Sequence, residues 1–137
     1  MSVGTDTRFA EAWAAAWSSG DPDRLLVLFT EDCVYEDVTL GAVNRGSEEL
    51  RAFASGFMGG VPDFKVELTS SFGTGDRLSA EWRMTGTHAG DLPNMPATGR
   101  KFDLRGASVF ELERDKGNAC RDSWDMATLL KQLGLMS

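Results

Sequence analysis

The sequence predicts an α+β fold in which helices come first and a mainly antiparallel sheet then curls over them. Three observations carry this expectation. Apolar residues recur with a period near 3.6 in the first half, the period drops to 2 after residue 62, and turn residues punctuate both stretches.

The first segment sets Phe9, Trp13 and Trp17 at i, i+4 and i+8 with Ala10, Ala14 and Ala16 between them, the stripe of an amphipathic helix. Gly20 ends it. Asp21-Pro22 reads as an N-cap followed by proline at the first helical position, starting a second short helix that buries Leu25, Leu26, Leu28 and Phe29. A short strand is expected at residues 34–38. A third helix begins around Ser47, where Glu48 and Glu49 suit the positive end of the helix dipole, and carries Leu50, Phe53, Ala54, Phe57 and Met58 on one face. Pro62 lies just past its end.

Beyond that proline, Phe64, Val66 and Leu68 alternate with polar residues, and Gly73-Thr74-Gly75-Asp76 turns the chain into Leu78, Ala80, Trp82 and Met84, again alternating. That pattern is a hairpin. A long strand runs from Lys101 to Glu113 with Phe102, Leu104, Phe110 and Leu112 in one parity. A last strand at residues 119–124 leads to a short C-terminal helix with Leu129, Leu130 and Leu133, closed by Gly134.

At 137 residues, with no repeat, low-complexity tract or linker, the chain reads as a single domain over residues 1–137. Hydrophobic residues make up 42%, enough for a packed core that encloses a small-molecule pocket. Fourteen Lys and Arg against 21 Asp and Glu leave a net charge of −7, which repels phosphate backbones and anionic lipid; no nucleic-acid or membrane partner is expected. No apolar run approaches the ~20 residues that cross a bilayer. The first six residues lack the basic-then-apolar profile of a leader, and the expectation is a cytoplasmic protein. In a reducing compartment Cys33 and Cys120 read as small buried residues, with a bridge between them the alternative.

The residues that bear on chemistry are polar ones in an apolar parity. Asp122 falls between Cys120 and Trp124 on the inward face of the last strand, while Arg121, Ser123 and Asp125 point the other way. A carboxylate facing an apolar interior costs several kcal/mol, roughly, unless it is paired, hydrogen-bonded or protonated. Asp122 is therefore an acid/base candidate, or else a backbone cap or the partner of a buried arginine. His88, the one histidine, continues the face of Leu78, Ala80, Trp82 and Met84, as a catalyst or as a structural imidazole near a strand end. Ser108 shares the face of Phe102 and Phe110, as a site residue or a small filler. Asp37, beside Tyr35, is a turn acid before Gly41 or a second pocket carboxylate.

Other chemistries lack their residues. The sequence has no Cys-x-x-Cys or His-Glu-x-x-His, so no soft metal site is expected. It has no Gly-x-Ser-x-Gly elbow, and its Gly-Thr-Gly lies in a hairpin turn instead of before a helix. Proton chemistry by carboxylates survives.

A Trp-bearing first helix, Gly20-Asp21 with a Leu-rich second helix, Glu31-Asp32-Cys33-Val34-Tyr35-Glu36-Asp37, Arg45-Gly46 and the third helix follow one another in an order that resembles the nuclear-transport-factor-2-like superfamily. Within it, Gly86-Thr87-His88-Ala89-Gly90-Asp91, Pro96-Ala97-Thr98-Gly99-Arg100, Arg121-Asp122-Ser123-Trp124-Asp125-Met126 and Leu130-Lys131-Gln132-Leu133-Gly134 resemble the SnoaL-like polyketide cyclases. The resemblance covers nearly the whole chain.

It implies a cone-shaped barrel of curved sheet wrapped over three N-terminal helices, a short C-terminal helix, a deep apolar pocket and no cofactor. It also implies that Asp122 is the general acid/base of an intramolecular aldol ring closure, and it places Ser108 where those cyclases carry a histidine. Ketosteroid isomerases resemble the chain at Asp37, in Val34-Tyr35-Glu36-Asp37, with Trp13 and Ser108 where their oxyanion-hole tyrosine and aspartate fall. Limonene-type epoxide hydrolases, with an Asp-Arg-Asp relay, resemble it at Arg83 and Asp122, while Thr85 leaves the middle aspartate without a counterpart.

The expectation is a cofactor-independent acid/base enzyme acting on a small apolar, oxygenated substrate. Asp122 is its principal group, Asp37 and His88 assist, and Trp13, Tyr35, Trp82, Arg83, Ser108 and Trp124 line the substrate. Epoxide hydrolysis, ketosteroid-type isomerisation and non-catalytic ligand binding are the alternatives. The apolar loop at residues 89–99, with Leu92, Pro93, Met95 and Pro96, reads as a pocket lid or a dimer contact, and a homodimer is expected.

Overall fold

The computed structural model describes residues 3–136; the first two residues of the segment read above for a leader lie outside the described residues. Helix α1 spans Val3–Ser18 and buries Phe9, Trp13 and Trp17, as their spacing requires. Gly20 follows in a left-handed conformation, φ 74°, that a side chain would strain. Asp21 caps α2, Pro22–Leu26, by accepting the Asp23 N–H at 2.9 Å.

The second helix is shorter than its leucines predict. Phe29 is not helical but opens strand β1, Phe29–Asp37, which extends well before the expected residues 34–38. A short strand β2, Ala42–Arg45, was not anticipated. None of its four residues is buried and Val43 within it is exposed, so no buried apolar alternation marks it. Helix α3, Gly46–Gly60, buries Leu50, Ala54 and Met58, and Glu49 reaches back to accept the Arg45 N–H at 2.7 Å.

Four longer strands complete the sheet: β3 at Lys65–Thr74, β4 at Arg77–Thr87, β5 at Lys101–Glu113 and β6 at Lys116–Trp124. Helix α4, Met126–Gln132, follows and packs on β5. The strand order is β2-β1-β6-β5-β4-β3, antiparallel throughout except for the parallel pair β1/β6. The sheet is curved but unclosed, an open cone instead of a sealed barrel, with register shifts after Phe29, Leu68 and Glu111. Helix α1 lies on β3 and α3 on β1, inside the curve.

The hollow of the sheet is packed with aromatic rings. Phe9, Phe29 and Phe110 meet edge to face, Trp13 rests on Trp82 and Phe110, and Trp17 touches Tyr35, Phe53, Phe57 and Phe64. Gly106 of β5 makes room for this: a Cβ there would lie 2.5 Å from the Trp82 ring. Cys33 and Cys120 are both buried and unbridged. Among the described residues no helix is long and apolar enough to cross a membrane.

Candidate active site

Strand register assembles the site. Ser108 of β5 lies opposite Asp122 of β6, and Asp122 lies opposite Asp37 of β1. Tyr35 shares Asp37's face, two residues back. Side-chain alternation turns all four into the hollow, where each is at most 6% exposed.

Among the described residues, the hydrogen bonds to the Asp122 carboxyl come from side-chain hydroxyls and a thiol, and neither an arginine nor a backbone N–H is among its donors. Its Oδ2 accepts from the Tyr35 hydroxyl at 2.7 Å, and its Oδ1 from the Ser108 hydroxyl at 2.6 Å and the Cys120 thiol at 3.2 Å. Behind these, Trp13 and Trp17 each donate an indole N–H to the Tyr35 oxygen at 3.0 Å, and Trp82 donates to Ser108 at 2.9 Å. Burial raises the Asp122 pKa to about 6; the donors from Ser108, Tyr35 and Cys120 oppose that rise, and the nearby charge of Asp37 adds to it. The same burial, with the charge of Asp122, drives Tyr35 well above its ordinary value and keeps it a neutral donor.

Asp37 serves in both of the ways its sequence allows. One oxygen accepts the Leu40 N–H at 2.9 Å, which closes the turn into β2, and the other accepts the Trp124 indole N–H at 3.0 Å. Burial raises its pKa, against the pull of these donors.

Both carboxylates border a cavity of ≈ 30 Å³ walled by Trp13, Trp17, Trp82 and Phe64. In that measure it holds about two waters. A larger hollow of ≈ 230 Å³ adjoins it, sharing Phe53, Phe57, Met84 and Trp124 as a common wall. The outer hollow is apolar, lined by Leu40, Leu129 and Leu133 and by Leu92 and Met95 of the 89–99 loop. Residues 92–95 of that loop therefore form part of its wall.

His88 borders the outer hollow and not the cavity that Asp122 borders. Ala80 is in register with Ser108, and His88 lies eight residues further along the chain, just past the end of β4. Fully buried, its ring meets the Met95 carbonyl at 3.2 Å through Nε2 and the Thr98 hydroxyl at 3.1 Å through Nδ1. A carbonyl only accepts, so Nε2 carries the proton and His88 ties down the loop.

Three expected lining residues are placed elsewhere. Arg83 is exposed on the outer face of β4, paired with Asp103, because its parity is that of Glu81 and Thr85. Tyr35 and Ser108 border neither interior cavity and instead hold Asp122. Trp13, Trp82 and Trp124 do line the inner cavity. Sequence reasoning left out Trp17, although it sits on the same helical stripe as Trp13, and Cys120, although it has Asp122's parity. Among the described residues no group of three or more His, Cys, Asp or Glu side chains stands together to hold a metal ion.

Chemically, the arrangement is a buried carboxyl group, its pKa raised to about 6, bordering an apolar cavity. Fold and site together define a pocketed α+β protein whose fold is shared by proteins with a ketosteroid-isomerase-like fold. With it agrees a protein of that fold from Catenulispora acidiphila DSM 44928, solved in complex with trimethylamine, at 24% identity and TM-score 0.83, covering 93% of this chain and 92% of that one. TsrD from Streptomyces laurentii superposes with TM-score 0.85 at 26% identity over 97% of both chains. A candidate SnoaL-like polyketide cyclase from Jannaschia sp. CCS1 gives TM-score 0.86 at 16% identity, over 98% of this chain and 95% of its own. A search of curated proteins finds no sequence match. The family model of the SnoaL-like polyketide cyclases matches residues 7–133, and the chain belongs to that family.

Proposed function

We propose that the protein is a cofactor-independent acid/base enzyme that closes or isomerises a ring in an apolar, oxygenated, polyketide-like substrate, with Asp122 as the group that moves the proton. The carrying observation is the Asp122 carboxyl itself: buried, hydrogen-bonded by three uncharged donors and bordering an apolar cavity.

Ionised Asp122 takes a proton from the carbon next to a substrate carbonyl, and the C–H electrons form an enolate. The enolate carbon attacks a second carbonyl of the same molecule, the new C–C bond forms as that carbonyl's π pair moves to its oxygen, and the resulting alkoxide takes the proton held by Asp122, which returns the carboxyl to its ionised form. Nothing is oxidised or reduced, and the product is an isomer of the substrate. Asp37, at the same cavity with a raised pKa, is the second group able to hold a proton there. The inner cavity admits only the reacting end, so the apolar body of the substrate lies in the outer hollow. An Asp-Arg-Asp relay of the epoxide-hydrolase kind does not fit, since Arg83 is on the opposite face of the sheet from Asp122.

The test is Asp122→Asn assayed on aromatic and reduced poly-β-ketone substrates. The variant is expected to keep the far-ultraviolet circular dichroism of the wild type and to bind substrate while losing turnover by a factor of about 10³ or more, since general acid–base catalysis alone contributes 10²–10⁴. Turnover at the wild-type rate would remove Asp122 from the mechanism. Binding without turnover in both proteins would make the pocket a carrier site.

A further inference from the structure

A direction is built into the hydrogen bonds around Asp122. An indole N–H has one proton to give and no lone pair to receive one, whereas a phenol has one proton and two lone pairs. Trp13 and Trp17 both donate to the Tyr35 oxygen and so fill its two lone pairs. The one proton of Tyr35 is left to point at Asp122 Oδ2, and no second arrangement is available to a phenol that is fully buried. Trp82 does the same more loosely for Ser108: its indole occupies one lone pair of the hydroxyl, whose proton then points at Oδ1.

Counting lone pairs on the carboxylate completes the picture. Two are present on each oxygen. Those of Oδ1 are taken by Ser108 and Cys120, and one of Oδ2 is taken by Tyr35. A single lone pair remains, on Oδ2. We propose that Trp13, Trp17 and Trp82 are positioning residues whose one-way N–H donation fixes Tyr35 and Ser108 as donors, so that Asp122 exchanges its proton with substrate through the free lone pair of Oδ2.

The cascade answers a physical problem. Desolvation alone would hold a buried carboxyl neutral at pH 7 and useless as a base. A Tyr35 donor that cannot reverse favours the ionised form, because a neutral Asp122 cannot pass its proton to a Tyr35 oxygen that is already filled. A proton taken from substrate then stays on Oδ2 instead of draining into the protein, available for return.

The groups facing Asp122 are few: Tyr35 and Asp37 from β1, Ser108 from β5, Cys120 from β6, and the uncharged indoles of α1 and β4. The catalytic meaning of the cascade rests on the acid/base reading of Asp122, but the test does not. Protein labelled with ¹³C at the aspartate carboxyls is titrated by NMR, and Asp122→Asn identifies the resonance. Tyr35→Phe is expected to raise the Asp122 midpoint by about one to two pH units, since it deletes a hydrogen bond to a charged group. Trp17→Phe keeps a ring in the wall but frees one lone pair of Tyr35, and is expected to raise the midpoint by about half to one unit.

The deciding comparison is Trp17→Phe made on top of Tyr35→Phe. There the indole has lost its messenger, and no further shift is expected. An equal shift in both backgrounds would mean that Trp17 acts through solvation or packing, and would overturn the cascade. Trp13→Phe puts the same question to the second donor if Trp17→Phe does not fold. For the wild type, the infrared C=O stretch of protonated Asp122 is expected at the position of a carbonyl that accepts a hydrogen bond; a free carbonyl stretch would also overturn it. None of these readings needs a substrate. An inactive cascade thus leaves the proposed reaction standing, while unimpaired turnover by Asp122→Asn sinks the reaction and leaves the cascade.

Discussion

Replacing Asp122 by asparagine should make the protein more stable at neutral pH, even as it removes the proposed base. Burial lifts this carboxyl from 3.8 to about 6 in the folded chain, while an unfolded chain returns it to the ordinary value. Between those two pH values the native state holds one more proton than the unfolded state, so unfolding releases a proton and stability falls as pH rises. The favourable contribution is complete below the unfolded value and lost above about pH 6. A shift of that size corresponds to about 3 kcal/mol. Asparagine carries no charge to desolvate, and its carbonyl can take the Tyr35 proton while its amide faces Ser108 and Cys120.

The measurement is urea unfolding of both proteins at pH 4, 5, 6, 7 and 8. Other carboxylates bend the absolute curves: Asp63, Asp103 and Asp125 are held below the usual range by their donors and partners, and they favour the fold as pH rises. They are common to both proteins, so the difference isolates residue 122. The advantage of Asp122→Asn is expected to open by about 1.4 kcal/mol per pH unit from pH 4 to 6 and to level off above pH 7. A gap independent of pH, or a wild type that gains on the variant as pH rises, would refute the claim that Asp122 is a desolvated acid.

Three other outcomes follow from the same geometry. With ionised Asp122 as the base, kcat/KM should rise through about pH 6 and stay level above it; a profile that falls there instead would require a protonated group. In Gly106→Ala the new Cβ would meet the Trp82 ring at 2.5 Å and the Ser123 carbonyl at 2.8 Å, so denaturant unfolding should show a loss of roughly 1–3 kcal/mol. His88→Ala should release the loop in the wall of the outer hollow, seen as faster amide exchange at Met95 and Gly99 and as a raised KM with kcat nearly unchanged; a large fall in kcat with KM intact would instead return His88 to the chemistry.

Much of the frame was legible because it depends on local rules. The 3.6 spacing of Phe9, Trp13 and Trp17 fixed the buried face of α1, and the alternation across Leu78, Ala80, Trp82 and Met84 fixed that of β4. The long strand at Lys101–Glu113 has the bounds its pattern predicts, with Phe102, Leu104 and Phe110 buried in one parity up to the register shift after Glu111. What failed was equally local in cause. Phe29 follows four residues of helical composition, yet packing against Phe9 and Tyr35 draws it into the sheet. Strand β2 carries too few buried side chains to leave a pattern. Arg83 was assigned to the pocket by resemblance, although its own parity already put it outside.

The amino-acid order by itself determined which residues of the long strands face inward, Asp122 among them, because a strand's side chains alternate whatever it pairs with. Which inward residues meet was decided by the tertiary structure alone. Register between β1, β5 and β6 brings Tyr35, Ser108 and Asp37 to Asp122, and the packing of α1 adds Trp13 and Trp17. These contacts join residues up to 87 positions apart. Burial of the carboxyl, and with it the shifted acidity, exists only once those distant segments have closed around it.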